Sequence, residues 1–347
     1  MTGSAADGPR GGGRRGGGRQ GGGSWVGGRW VGGYQLTRRL GSGGMGEVYL
    51  GRDREGRQAA VKLVHAELAD DPEFRARFRQ EVAAAERVLS FFTVPVVGAD
   101  PEGDPPWLAT SYVPGPSLAA AVAQGGPLPY DRLCSLAAAL GEALVVVHGA
   151  GIVHRDLKPS NVLLADDGPR VIDFGIARAA DATALTGTGM MIGTFGYASP
   201  EQLTGSAEVL EASDVFSLGA VLLFAATGRH PFGEGPGATI AYRTVHEEAD
   251  TAGVTGPLLT LVQACLAKDP ADRPTPREVI AAARAAQSAA VPQDAPAEPT
   301  SYRLAPPPPR PAPPPPVALP RRRRPWWPAA VAAVPCSPRS RRSSCRG

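Results

Sequence analysis

The hydrophobic and polar residues of the first third of the chain follow patterns typical of short strands. Residues 34–40 alternate apolar and polar side chains as a half-buried strand does, and 41–50 reads as a glycine turn followed by a second strand. Apolar residues dominate 59–64, and a further strand is predicted at 107–113, where Pro-Gly-Pro ends it. This part of the chain is therefore predicted to form a sheet.

Helical periodicity appears first between two of these strands. In 72–89, Phe74, Phe78, Val82 and Ala85 recur at helical spacing and form one apolar stripe. Residues 90–106 show no strong pattern, so strand boundaries there stay open. Later helices are predicted at 133–148, 214–226 and 258–267, with a last one that starts near 272–275 and fades near 286. The order of strands followed by helices predicts an α+β fold.

Composition divides the 347 residues into three parts. Residues 1–33 are Gly-rich with five Arg and one Asp, and 287–347 are Pro-rich with ten Arg, one Asp and one Glu. The middle, 34–286, carries 21 basic and 30 acidic side chains, so the net charge of +3 hides an acidic domain between basic ends. We predict a disordered leader at 1–33, one folded domain at 34–286 and a disordered basic tail at 287–347.

The two ends leave several functions open. Arg-Gly tracts in the leader are compatible with RNA binding, although a flexible leader is favoured, and the tail offers PxxP sequences to a partner. The Arg and Trp residues of 321–327 resemble the edge of a membrane span, but the apolar run 328–334 is far shorter than the ~20 residues that a span needs. With neither a secretory signal nor a CxxC pair, the sequence predicts a cytoplasmic chain with reduced cysteines, whose tail at most contacts anionic membrane.

The strongest chemical signal is a short loop, 154–161, together with one residue beyond it. Asp156 can accept a proton, Lys158 can neutralise phosphate charge, and Asn161 can bind a metal. Asp173 follows the predicted strand 170–172 and adds a stronger metal ligand. Each residue alone suits an ordinary exposed loop, but the complete set suits phosphoryl transfer, which depends on positioning and charge neutralisation.

A glycine-rich turn and a lysine add to this signal. Glycines at 41, 43 and 46 let backbone N–H groups approach phosphate oxygens. The spacing also fits a dinucleotide-binding fingerprint, but a strand follows instead of a helix, and no Walker Gly-Lys-Ser/Thr sequence is present. Lys62 lies within an apolar strand, so it is either an outward solvated side chain or a buried cation with a partner. Periodicity leaves Glu81 and Glu86 open as that partner.

Taken in order, these blocks resemble those of eukaryotic-like (Hanks-type) bacterial serine/threonine protein kinases. The blocks are the glycine loop 41–46, Ala-Val-Lys at 60–62, His-Arg-Asp-Leu-Lys-Pro-Ser-Asn at 154–161, Asp-Phe-Gly at 173–175, Ser-Pro-Glu at 199–201, Asp214 and Arg273. The resemblance implies a two-lobed protein-kinase fold across 34–286. Its small N-lobe, with an antiparallel sheet and one main helix, would span about 34–113, and its mostly helical C-lobe about 114–286.

The resemblance also implies a role for each residue, with ATP and Mg²⁺ as ligands. Asp156 would be the catalytic base, with Lys158 on the γ-phosphate, and Asn161 and Asp173 would bind the metal. Glu81, and not Glu86, would pair with Lys62, and Glu201 with Arg273, while Asp214 would brace the catalytic loop. The implied nucleotide contacts are Leu40, Gly41, Ser42, Gly43, Gly44, Met45, Gly46, Val48, Lys62, and the backbone of Ser111 and Val113 behind Thr110.

Regulation and partners follow from the same resemblance. Arg155 would bind a phosphate on the loop that follows Asp173, with Thr186 and Thr188 favoured over Thr183 as the modified residues. Receptor-type members usually continue through a membrane into an external sensor. Here the span is expected to be only a stub and the sensor to be missing. Protein substrates bearing Ser or Thr are implied, with self-association for trans-autophosphorylation. A pseudokinase scaffold and a small-molecule phosphotransferase are the alternatives; the complete catalytic set opposes the first, and Thr194 with Ser-Pro-Glu opposes the second.

Overall fold

The computed structural model describes residues 28–173, 196–206 and 208–290. Its strands are β1 (Trp30–Val31), β2 (Tyr34–Gly43), β3 (Gly46–Arg52), β4 (Gln58–Val64), β5 (Val96–Asp100), β6 (Trp107–Ser111), β7 (Val162–Ala165) and β8 (Gly168–Val171). Its helices are α1 (Ala66–Ala69), α2 (Pro72–Ala85), α3 (Leu118–Gly125), α4 (Tyr130–Gly149), α5 (Pro200–Thr204), α6 (Glu211–Thr227), α7 (Gly237–His246), α8 (Gly256–Cys265) and α9 (Pro276–Ala290). The predicted α+β fold is confirmed, although β7 and β8 follow α3 and α4 in the chain.

A six-stranded antiparallel sheet forms the smaller lobe, with the strand order β1-β2-β3-β4-β6-β5. Its register pairs Gly41 with Val48, Val48 with Lys62, and Lys62 with Leu108. Side chains that are directly opposite on neighbouring strands share one face of a sheet. The glycine loop, Val48 and Lys62 therefore lie in one row on one face.

The two faces of this sheet are covered by different apolar clusters. Val64 and Leu108, on the Lys62 face, pack with the buried stripe of α2, where Phe74, Phe78 and Val82 are at most 3% exposed. The opposite face packs under the N-terminal hairpin, in a cluster of Val31, Leu36, Tyr49, Ala59, Val61, Leu63, Trp107 and Ala109. Helix α2 is thus held against the face that carries the lysine.

The larger lobe is built around two apolar helices, α4 and α6, and one core cluster joins them to α3, α8 and α9. In the described part of the chain, α4 is long and apolar enough to cross a membrane by those two criteria, but it supplies Leu136, Leu140 and Leu144 to this core. The hairpin of β7 and β8 follows α4 and carries the candidate catalytic loop at its start.

Element boundaries differ from the sequence prediction at several places. Trp30 and Val31, assigned above to the leader, form β1 and pair with Gln35 and Tyr34. Helix α2 ends at Ala85, four residues before the predicted end, because Glu86 already caps it and Val88 turns into a separate cluster with Ala85. Strand β5 occupies part of the stretch without a pattern, where it pairs with β6 at the sheet edge.

Candidate active site

The candidate catalytic loop is held by one buried carboxylate. Asp214, on α6, is fully buried, and its Oδ2 accepts from the backbone N of His154 at 2.7 Å and its Oδ1 from that of Arg155 at 2.8 Å. The Nε2 of His148, in the last turn of α4, lies 2.7 Å from the same carboxylate. Arg155 has φ of 65°, which is unfavourable for a side chain with Cβ, so the bond from its amide helps to hold this conformation.

Three of the predicted residues meet just beyond this point. The Nζ of Lys158 lies 2.8 Å from the Asp156 carboxylate. The Nδ2 of Asn161 donates to the backbone O of Asp156 at 2.8 Å and to its Oδ2 at 3.1 Å. Because two side chains hold the Asp156 carboxylate, its orientation is set before any substrate arrives.

The predicted metal ligand Asp173 is brought to the same place through backbone pairing. The N–H of Ile172 donates to the carbonyl of Asn161 at 3.0 Å, at the open end of the β7–β8 hairpin. Asp173 itself has φ of 59°, and its Oδ2 lies 3.5 Å from the Nζ of Lys62. Contacts therefore link Lys62, Asp173, Asn161 and Asp156 across the boundary between the lobes.

The oxygen atoms at this place suit a hard divalent cation. The Nδ2 of Asn161 is engaged by Asp156, so the amide presents its Oδ1 on the other side, where Ser160 Oγ lies at 3.5 Å. The Asp173 side chain is 35% exposed and can accept a ligand. Carboxylate and amide oxygens are the donors that Mg²⁺ prefers, so these residues fit the metal expected from the sequence.

Lys62 makes an ion pair with the predicted metal ligand. Its Nζ lies 3.5 Å from the Oδ2 of Asp173. Glu81 lies half-buried on α2 beside Val82, one residue outside the apolar stripe. The pairing of Glu81 with Lys62 stays a prediction.

The glycine loop closes tightly between β2 and β3, where Gly43 pairs with Gly46 and Ser42 with Glu47. A Cβ on Gly46 would lie 1.9 Å from the carbonyl O of Leu63, so only glycine fits there. Gly41, Gly43 and Gly44 face open space instead. Open space beside exposed backbone is what an approaching phosphate requires.

One member of the predicted nucleotide set has a different environment. The Met45 side chain is 8% exposed and packs in the cluster of Phe74 and Phe78 against α2. Its carbonyl accepts from the N–H of His65 at 2.9 Å. A contact of Met45 with nucleotide could therefore involve its backbone and not its thioether. Leu40, between two paired positions of β2, and Val48 are both half-buried.

The segment between the lobes has a fixed path. The N–H of Ser111 donates to Pro95 O at 3.0 Å, and that of Tyr112 donates to Gln58 O at 3.3 Å. Thr110 pairs with Ala60 in the sheet, so this segment follows directly from the end of β6. Ser111 and Val113 are both half-buried, and their predicted adenine contacts stay predictions.

Glu201 and Arg273 form a buried ion pair, as the resemblance implied. The Nη1 and Nη2 atoms of Arg273 lie 2.7 and 2.9 Å from the two carboxylate oxygens, and Ser213 Oγ donates to Glu201 at 2.5 Å. Burial acts to raise the pKa of Glu201, but the hydrogen bonds from Arg273 and Ser213 outweigh it and lower the pKa to about 2. The pair anchors α5 to the end of the larger lobe.

Some predicted residues lie outside the described part of the chain: Phe174, Gly175, Thr183, Thr186, Thr188 and Thr194. Conversely, sequence reasoning missed His148, Ser213 and Gln202, which contact the residues described above. His148 ends the helix before the catalytic loop, and this position was an available signal. Ser213 and Gln202 carry no such signal, because serine and glutamine are ordinary residues of helices.

Known proteins resemble this chain over the region that contains both lobes. The protein kinase domain family matches residues 34–283. A probable serine/threonine-protein kinase of Thermomonospora curvata, PkwA, is 51% identical over 248 residues, which are 72% of this chain and 33% of that protein. The serine/threonine-protein kinase AfsK of Streptomyces coelicolor is 50% identical over 247 residues, 71% of this chain and 31% of that protein.

A solved structure shows the same fold. The crystal structure of the Mycobacterium tuberculosis PknI kinase domain matches with a TM-score of 0.58 and 27% identity, covering 76% of this chain and all of that one. The present chain thus spans about a third of the length of the curated relatives it matches.

Proposed function

The chain belongs to the protein kinase domain family, and we propose that it is a serine/threonine protein kinase, which transfers the γ-phosphoryl group of ATP to Ser or Thr hydroxyls of proteins. The observation that carries the proposal is the linked set of Lys62, Asp173, Asn161 and Asp156. All the groups that phosphoryl transfer requires are present there, in contact or joined by backbone bonds.

In this proposal each side chain has one task. The Nζ of Lys62, in the row that contains Gly41 and Val48, binds the phosphates that approach the open side of the glycine loop. Asp156 accepts the proton of the substrate hydroxyl, and Lys158 holds the charge of the transferred group. Asn161 and Asp173 hold Mg²⁺, which when bound neutralises charge on the phosphates.

The domain limits and the regulation are parts of the same proposal. The domain covers 34–286, with lobes at about 34–113 and 114–286, followed by a basic tail that contacts anionic membrane peripherally. Phosphorylation in trans between two copies occurs at Thr186 and Thr188, and Arg155 binds the added phosphate. The place of Arg155 beside Asp156 supports this role. Its Nη2 also donates to Val209 O at 3.4 Å.

The test compares wild type with Asp156→Asn in the presence of radiolabelled ATP, Mg²⁺ and a generic basic protein. Transfer should fall at least about a hundredfold when the base is lost. Asp166→Asn is the matched control, because Asp166 is exposed at the β7–β8 turn, outside the linked set. Mass spectrometry of wild type incubated alone should find phosphate at Thr186 or Thr188. A fully active protein without phosphate there would disprove the regulatory part. Equal transfer by wild type and Asp156→Asn would remove Asp156 as the base, and absence of transfer by wild type would disprove the function.

A further inference from the structure

Gln202 lies on the short helix α5, and the oxygen and the nitrogen of its side-chain amide bind different partners. Its Oε1 accepts from the backbone N of Ser199 at 2.9 Å and from Ser199 Oγ at 3.1 Å, which caps the start of the helix. Its Nε2 donates to the carbonyl O of Arg155 at 2.8 Å, 47 residues earlier in the chain. The first contact is local, whereas the second reaches the catalytic loop.

The Arg155 carbonyl that Gln202 binds belongs to the peptide that joins Arg155 to Asp156. A peptide unit is planar, so the C=O of Arg155 and the N–H of Asp156 share one plane. Fixing that carbonyl fixes the direction in which the backbone enters Asp156. Arg155 has a φ of 65°, and its N–H donates to Asp214. Both backbone groups of Arg155 are therefore held: its N–H by Asp214 of α6, and its carbonyl by Gln202 of α5.

We propose that Gln202 is a positioning residue for Asp156. The proposal rests on the proposed function in one respect, namely that Asp156 is the base for the substrate hydroxyl. Without the bond from Nε2, the peptide between Arg155 and Asp156 keeps only the 3.3 Å bond from its N–H to His154 Nδ1. The Asp156 side chain keeps its contacts with Lys158 and Asn161, but the backbone that carries it is held less firmly, so its carboxylate is less well aligned. Phosphate binding is unaffected, because Lys62 and Asp173 do not contact Gln202 in the described structure.

The alternative is that Gln202 only caps α5, and its amide allows the two roles to be separated. Gln202→Glu keeps an oxygen to accept from Ser199 but has no donor for the Arg155 carbonyl. Gln202→Leu loses both contacts. Gln287→Glu is the matched control: it makes the same change on α9 and removes an Nε2 donor to Ser135 Oγ at 3.1 Å, away from the catalytic loop.

The experiment measures kcat, the KM for ATP, the thermal midpoint and amide hydrogen exchange of 152–161 for all four proteins. In Gln202→Glu, kcat should fall about tenfold, KM for ATP should stay within about twofold, and the thermal midpoint should stay close to wild type. Gln202→Leu should show the same fall in kcat with a lower midpoint. Gln287→Glu should match wild type, and exchange in 152–161 should be faster in both Gln202 variants.

The outcomes separate this inference from the proposed function. Wild-type kcat and exchange in Gln202→Glu, with losses only in Gln202→Leu, would assign Gln202 to the helix cap and overturn the inference. If wild type transferred no phosphate, the proposed function would fail, and the exchange of 152–161 would still decide whether Gln202 holds the loop: unchanged exchange in both variants would overturn that as well.

Discussion

Among the ion pairs that join distant parts of the described chain, Arg273 with Glu201 and Lys62 with Asp173 are built in opposite ways. Arg273 and Glu201 make two contacts of 2.7 and 2.9 Å, and their side chains are 0% and 3% exposed. Lys62 and Asp173 make one contact of 3.5 Å, with 16% and 35% exposed. The first pair is closed to solvent and the second is open to it.

Arg273 in the closed pair has no donor left for a ligand. Besides its bonds to Glu201, Arg273 donates from Nε to Ala267 O, from Nη1 to Ala212 O and from Nη2 to Lys268 O, at 2.8 to 3.0 Å. All five guanidinium N–H groups are therefore used. Such a pair fixes the position of α5 and α6 relative to the end of the larger lobe.

The open pair shows the contrary features. Its longer contact and partial exposure leave both Lys62 and Asp173 able to exchange partners, and Asp173 sits in a left-handed conformation at φ 59°. Backbone strain of this kind concentrates at functional sites. The difference indicates that the closed pair supports the fold, whereas the open pair is available for chemistry. Changes at the first should lower stability, and changes at the second should lower activity.

Arg273→Met should have the largest effect on stability. It leaves the Glu201 carboxylate buried without its cation, which typically costs about 3–5 kcal/mol. Urea unfolding followed by circular dichroism measures the loss. Arg284→Met is the control, because Arg284 pairs with Glu142 at an exposed site, where a pair contributes about 0–1 kcal/mol. Equal losses in the two variants would contradict the assignment of Arg273 to the fold.

Lys62→Met should show the reverse pattern. Transfer of phosphate from ATP should fall at least about a hundredfold, because a preorganised charge at the phosphates is lost. The free energy of unfolding should change by less than about 1 kcal/mol, because the pair is partly exposed. Steady-state kinetics and urea unfolding of one preparation measure both. A variant that retained its rate would remove Lys62 from the proposed site.

The fold and the candidate catalytic groups could be predicted from the sequence because both depend on local patterns. Alternation and helical periodicity record which face of an element is buried, and they gave the apolar stripe of α2 correctly. The catalytic loop is a continuous stretch, so Asp156, Lys158 and Asn161 are brought together with few residues between them. Family resemblance then supplied the pairing of Glu201 with Arg273, which periodicity could not reveal.

What could not be predicted depends on tertiary contacts. The end of α2 at Ala85 depends on Val88 packing beneath the larger lobe with Val147, which no local pattern records. The ion pair between Lys62 and Asp173 depends on the position of the β7–β8 hairpin relative to the sheet. The burial of Met45 against α2 has the same origin, because a two-residue turn gives no sign of what lies beneath it.

Acid unfolding provides the smallest test of the closed pair. The pKa of Glu201 is lowered from 4.5 to about 2, so this carboxylate contributes stability above pH 4.5 and loses it as pH falls toward about 2. The contribution is on the order of 3 kcal/mol, at about 1.36 kcal/mol per pKa unit. Ser213→Ala removes one of the bonds that lower this pKa, so it should reduce stability at neutral pH by about 1 kcal/mol. The pH range over which Glu201 loses its contribution to stability should also become narrower.

Ser217→Ala separates this effect from the loss of any buried hydroxyl on α6. Ser217 is equally buried, but its Oγ donates to Tyr197 O at 2.7 Å and not to a carboxylate. Urea unfolding at pH 7 and pH 3 should therefore show a similar loss at both pH values for Ser217→Ala. For Ser213→Ala the loss should be smaller at pH 3, because the variant lacks a bond that lowers the pKa of Glu201, so more of this carboxylate is protonated in the folded variant than in folded wild type. Parallel pH profiles for the two variants would show that Ser213 does not act through the charge of Glu201.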